Sequence, residues 1–189
     1  MRIIKKYIGD LFISQRFYFG FGTCILLFIL SFFIPLLFPF MKILFYVFLL
    51  LVVADYVFLF FTGKAPRVER MISERLSNGD KNMVVLEVVN RMSYPLTMKI
   101  IDELPEQFQM RHFSLDRYFA ARQEHKISYT VTPVERGVYN FGNTHLYVNS
   151  ALGLVIRRFT ALTGKDITVY PSYMQLKKLP AYFPDCADH

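Results

Sequence analysis

FYFGFGTCILLFILSFFIPLLFPFMKILFYVFLLLVVADYVFLFF, residues 17–61, carries only two charges, Lys42 and Asp55, and is interrupted by two prolines, Pro35 and Pro39. Its two halves, 17–37 and 40–61, are each about 21 residues long. As helix that is about 31 Å at about 1.5 Å per residue, which matches a hydrocarbon core of about 30 Å. Each half is therefore predicted to cross a membrane once. The prolines fall where a backbone lacking an N–H can turn without breaking a helix interior. The stretch reads as a tight transmembrane hairpin.

Cations set its orientation, because Lys and Arg near a span resist translocation. Arg2, Lys5, Lys6 and Arg16 precede the first half, and Lys64, Arg67 and Arg70 follow the second, with Lys42 between. Both termini are therefore predicted to be cytoplasmic. A cleaved signal peptide is the competing reading of the first half, but no small-residue cleavage site is present and a second apolar run follows at once. Cys24 lies inside the apolar run and reads as a small buried residue, not a lipid attachment point. Asp55 lies six residues before Phe61, about 9 Å along a helix, where an ionised carboxylate costs about 2.5–3.5 kcal/mol if it is deep in the bilayer. Two readings stand: helix association through Asp55, or a shallower helix that leaves it among the headgroups.

From residue 65 onward the pattern changes to period two. Val84, Leu86 and Val88 alternate with Val85, Glu87 and Val89; Leu96, Met98 and Ile100 alternate with Thr97, Lys99 and Ile101; Ile127, Tyr129 and Val131 alternate with Ser128, Thr130 and Thr132. Further strands are predicted at 146–148, 155–160 and 167–170, with 90–95 as a hairpin connection and 104–109 as a short helix. Seven to nine short strands at this spacing indicate an all-β, immunoglobulin-like sandwich over residues 65–171. The expected organisation is a cytoplasmic segment 1–16, the hairpin 17–61, the sandwich 65–171 and an irregular tail 172–189.

The net charge of +7 does not point to nucleic acid, because residues 65–189 hold 16 Lys and Arg against 13 Asp and Glu, dispersed along the chain. Arg157-Arg158 and Lys177-Lys178 read either as solvated charge or as contacts to anionic headgroups. No phosphate-loop, dinucleotide or nucleophile-elbow motif occurs. His112, His125, His145 and His189 lack zinc-site spacing, and Cys186-Ala187-Asp188-His189 offers at most half a site. No cofactor and no catalytic residue is predicted.

Several local patterns occur in a characteristic order: Arg75-Leu76 before Gly79, Val88-Val89-Asn90, Asp102-Glu103-Leu104-Pro105, Tyr129 to Pro133, Arg136-Gly137-Val138-Tyr139-Asn140-Phe141-Gly142, Leu152-Gly153-Leu154 and Val169-Tyr170-Pro171. Behind a hairpin, this order resembles the amino-terminal part of the membrane-anchored bacterial "domain of unknown function 58" family. The resemblance implies two spans followed by a cytoplasmic β-sandwich. It implies protein partners, among them MoxR-type AAA+ ATPases. Full-length relatives continue into a domain resembling von Willebrand factor A folds, so residues 172–189 read as a truncated ending, and nothing of that domain is carried over.

The residues themselves allow simpler roles. Arg136 is expected either to hydrogen-bond turn carbonyls or to meet an acidic partner, beside Gly137 at a strand turn. Asp102 is expected to end a strand by capping backbone N–H groups, although with Glu103 it also forms a carboxylate pair. The functional expectation is a non-enzymatic, membrane-anchored module for binding or positioning proteins. The alternatives are a fragment of a larger envelope-related enzyme and an oligomeric hairpin with a transport role; the oligomeric state is not readable.

Overall fold

The structure is a computed structural model that describes residues 9–61, 64–108, 112–150 and 152–171. The cations Arg2, Lys5 and Lys6, the pair Lys177-Lys178 and the whole segment 172–189 with its Cys186 and His189 lie outside the described residues.

Strand β1 (Leu11–Ile13) opens the described chain, followed by helix α1 (Gln15–Phe33), a 3-10 turn (Pro35–Leu37) and helix α2 (Phe38–Phe61). Ser14 caps α1, its Oγ accepting from the Arg16 N–H at 3.3 Å. Pro39 sits inside the first turn of α2, where its missing N–H has no intrahelical partner to lose. The helices pack antiparallel through aromatic rings. Phe28 meets Phe38 and Phe45, and Phe17 meets Phe48. Of the two glycines at 20 and 22, only Gly20 is used for close approach: a Cβ there would lie 2.7 Å from the Phe48 ring, whereas Gly22 has open space. Both helices are long and apolar enough to cross a membrane.

Ten strands follow: β2 (Arg67–Ile72), β3 (Arg75–Ser77), β4 (Asn82–Val89), β5 (Leu96–Glu103), β6 (His112–Phe119), β7 (Glu124–Val131), β8 (Gly137–Phe141), β9 (Thr144–Asn149), β10 (Val155–Ala161) and β11 (Lys165–Tyr170). They form a five-stranded sheet, β1-β10-β9-β5-β6, and two three-stranded sheets, β2-β4-β7 and β3-β11-β8. Every pairing is antiparallel except β3 with β11. The inward residues of all three sheets, including Val84, Leu86, Ile100, Phe119, Tyr139, Phe141, Leu146 and Ile167, belong to one buried cluster. The result is a mostly antiparallel β-sandwich with a single core.

Three expectations are corrected here. Residues 90–95 do not form a hairpin, because β4 pairs with β2 and β7 while β5 pairs with β6 and β9. The segment crosses between sheets, closed by the buried Asn90 side chain, which donates to Tyr94 O (3.1 Å) and Ala120 O (2.8 Å) and accepts from Met92 N–H (2.9 Å). The strand count also exceeds the expected nine. The short helix expected at 104–109 is a single 3-10 turn, Glu106–Phe108.

Candidate functional site

Asp55 is 2% exposed, and its carboxylate is the point where α2 is fastened to the sandwich. Oδ2 accepts the Ser150 hydroxyl, Leu154 N–H (3.0 Å) and Val155 N–H (3.3 Å), while Oδ1 accepts Leu152 N–H (3.3 Å). Convergent backbone amides of this kind make an anion-binding concavity. Here the acceptor they meet is the chain's own side chain. Gly153, at φ +72°, lets the 150–155 turn close, and its N–H donates to Ser150 Oγ at 3.1 Å.

Arg157 extends the joint. Successive residues of a strand point to opposite faces, so Arg157 and Arg158 part company on β10. Arg157 turns inward, 8% exposed, with its guanidinium carbon 4.3 Å from the Phe60 ring centre and 4.5 Å from that of Phe159. It donates to the carbonyls of Leu59 (3.4 Å) and Phe60 (3.5 Å) in the last turn of α2. Leu59 and Phe60 are buried in the same core cluster as the sandwich strands. Phe58 packs its ring 4.6 Å from Tyr94. Burial raises the Tyr94 phenol above its ordinary pKa.

The amino-terminal side is fastened to the same strand. β1 pairs with β10 from Leu11↔Arg157 to Ile13↔Val155. Asp10 accepts from Arg158 through its carbonyl (2.9 Å to the N–H) and its carboxylate (3.3 Å). Ser14 N–H donates to Leu154 O at 3.1 Å, and Arg16 reaches Leu152 O at 3.4 Å. The helical hairpin and the sandwich are thus one packed body. Arg157 and Arg158 are occupied inside it, which removes Arg157 from the solvated or headgroup-contacting roles expected of the pair.

Asp102 does not cap a turn. It lies within β5, fully buried, on the same face as Met98 and Ile100. Arg70 forms a bidentate pair with it, also donating to Thr163 O and Gly142 O at 3.0 Å each. Tyr129 OH (2.6 Å) and Thr144 Oγ1 (2.8 Å) complete its shell. Burial, followed by the neighbouring Asp102 charge, pushes the Tyr129 phenol far above its ordinary pKa, so it remains a donor. This network ties β2, β5, β7 and β9 across the sandwich.

Glu103, the other carboxylate of the pair, points the opposite way. It lies 2.8 Å from His145 Nε2 and accepts Asn143 N–H at 3.0 Å; the His145 hydrogen bond holds its pKa below the ordinary value. Arg136 is exposed and does not close its turn. Tyr139 does so instead, donating from its hydroxyl to Glu135 O (2.9 Å) and accepting Glu135 N–H (3.3 Å). Gly137 beside it has φ +142° with open space around it, so its requirement for glycine is conformational and not steric. Among the described residues no group of three or more His, Cys, Asp and Glu side chains is placed to hold a metal ion.

The residues of this joint were not apparent from sequence, although two signals point to them. Arg157 shares parity with Val155 on a strand, and Leu152-Gly153-Leu154 supplies the tight turn whose amides an acid can meet.

No protein-family model matches the chain, and no curated protein matches it. Among solved structures, it is similar to the CARDB domain of the PF1109 protein from Pyrococcus furiosus in complex with di-metal ions. That likeness is at 13% identity over 56% of this chain and 88% of that one, with a TM-score of 0.43. The solution structure of the same domain matches at 11% identity over 55% and 93%, TM-score 0.37. The Pseudomonas fluorescens alkylpurine DNA glycosylase AlkC, bound to DNA containing an abasic site analog, matches at 10% identity over 61% and 33%, TM-score 0.35.

Proposed function

We propose that this chain is a non-enzymatic membrane scaffold: a two-span hairpin in the bacterial inner membrane, both termini cytoplasmic, that holds a β-sandwich in a fixed pose for protein partners. A MoxR-type AAA+ ATPase is the partner class that the family resemblance suggests. The observation that carries the proposal is the Asp55 joint. A carboxylate bound by three backbone amides and a hydroxyl, together with Arg157 on the end of α2, makes a stiff mount and not a loose tether.

The outer surface of the helices supports the membrane part. Phe32, Phe33, Leu36 and Leu50 are 83%, 75%, 77% and 67% exposed, and apolar side chains continue around both helices. A contiguous apolar surface of that kind is rare on a water-soluble monomer. Beyond Asp55, Leu59 and Phe60 are buried against the sandwich while Val57 and Phe61 stay exposed; residues 38–54, ahead of the joint, give about 25 Å of helix, near the lower end of what spans.

The test is fractionation and protease access. The chain should stay in membranes washed at alkaline pH, and its sandwich should be cut in inside-out vesicles but protected in spheroplasts. Release by the wash overturns the anchoring, and cleavage in spheroplasts overturns the orientation.

A further inference from the structure

Two segments cross between sheets side by side, 90–95 after β4 and 120–123 before β7. Asn90 locks them together: its N–H donates to Gln123 O (2.9 Å) and its side chain to Ala120 O (2.8 Å), while Arg122 N–H donates to Met92 O (3.2 Å). Between these segments and Lys64 lies a cavity of about 320 Å³, lined by Lys64, Val89, Arg91, Ser93 and Arg122 around buried Asn90 and Met92. Its lining holds three cations and no carboxylate. The nearby Glu124 faces Lys126 at 4.0 Å. Arg122 is held at φ +56°, alone among the described non-glycine residues in having a positive value. Such strain persists only where surrounding bonds impose it, and it gathers at ligand sites. Three cationic residues lining one cavity with no carboxylate among them attract an anion seated there.

We propose that this cradle binds a phosphate-bearing group. Arginine offers paired N–H donors that match phosphate oxygens, and lysine adds a compact charge. The cavity is at the small end of ligand pockets, about 300–1,000 Å³, which suits a headgroup or a small phosphate ester and not a nucleic acid strand. Only the choice of a leaflet phospholipid as the source rests on the membrane proposal above.

The test uses the full chain in dodecyl maltoside, titrated calorimetrically with inorganic phosphate and, in parallel, examined by native mass spectrometry in micelles doped with phosphatidylglycerol. Arg91→Gln with Arg122→Gly should weaken binding about thirtyfold, each cation contact contributing about fivefold. The glycine also relieves the positive φ, so the turn is retained. Arg91→Gln alone, which leaves the 120–123 turn untouched, should lose about fivefold. Lys99→Gln with Arg117→Gln, the same charge removed from the five-stranded sheet, should bind as the parent does. Cradle-dependent retention of lipid without a phosphate heat assigns a headgroup; a cradle-dependent phosphate heat assigns a soluble phosphate. Binding of neither probe by the parent, or equal losses in cradle and control variants, overturns the site. A chain that leaves alkaline-washed membranes yet binds phosphate refutes the anchoring and keeps the site.

Discussion

Replacing Asp55 separates a fastened hairpin from a tethered one. Alanine removes the acceptor of four hydrogen bonds, three of them from backbone N–H groups of a partly buried turn. Each stranded buried donor costs about 1–3 kcal/mol. The Ser150 hydroxyl can rotate and the turn can relax, so the net loss expected at the joint is about 3–5 kcal/mol. Asparagine is the informative intermediate. Oδ2 takes three of the donors and Oδ1 only one, so an amide oriented with its oxygen at the crowded position strands Leu152 N–H alone. Its cost is about 1–2 kcal/mol. Hydrogen exchange on the full chain in micelles reads this locally. The amides of Leu152, Leu154 and Val155 should exchange about two to three and a half powers of ten faster in Asp55→Ala and about tenfold faster in Asp55→Asn, since about 1.4 kcal/mol is one power of ten. Unchanged protection in the alanine variant, or an asparagine variant as open as alanine, refutes the reasoning.

Arg70→Leu strands the fully buried Asp102 and should cost about 3–5 kcal/mol in denaturant unfolding, whereas Arg70→Leu with Asp102→Leu should recover part of that loss. Glu103 has its pKa lowered in the folded chain, so its contribution is present above the ordinary carboxylate pKa and lost as pH falls through the lowered folded value. The group is half exposed, which keeps the effect under about 1 kcal/mol. The melting-temperature gap between the parent and Glu103→Gln should accordingly be open at pH 6 and close towards pH 3. Gly137→Ala should cost about 1–2 kcal/mol from backbone strain alone, while Gly22→Ala, in open space inside α1, should raise stability by up to about 1 kcal/mol through helix propensity.

The helices were legible because an uncharged run of helical length has few other uses, and the sandwich because period-two alternation survives in β4, β5 and β7. Sheet membership was not. Residues 90–95 have the length and composition of a hairpin loop, and what makes them a crossing is Asn90 reaching Ala120 and Gln123, about thirty residues away in sequence. β1 escaped notice because Leu11–Ile13 is too short to show alternation beside an apolar run. Asp102 was readable in retrospect: it keeps the parity of Met98 and Ile100, so the strand period turns it inward, although the Asp-x-Leu-Pro pattern suggested a cap. The oppositely directed Arg157 and Arg158 follow from the same rule. What no local pattern discloses is which buried charge meets which partner, since Arg70 and Asp102 are joined only by the folded topology.

β10 holds both ends of the hairpin, with β1 along its edge and α2 against its inward arginine. A sandwich gripped at two points has no swivel. In a bilayer, helices shorter or longer than the hydrocarbon thickness respond by tilting or by deforming the lipid around them. On the membrane mounting proposed above, any tilt of this hairpin would be imposed at the same angle on the sandwich, and membrane thickness would then reach a bound partner as a change in the pitch of the surface it meets.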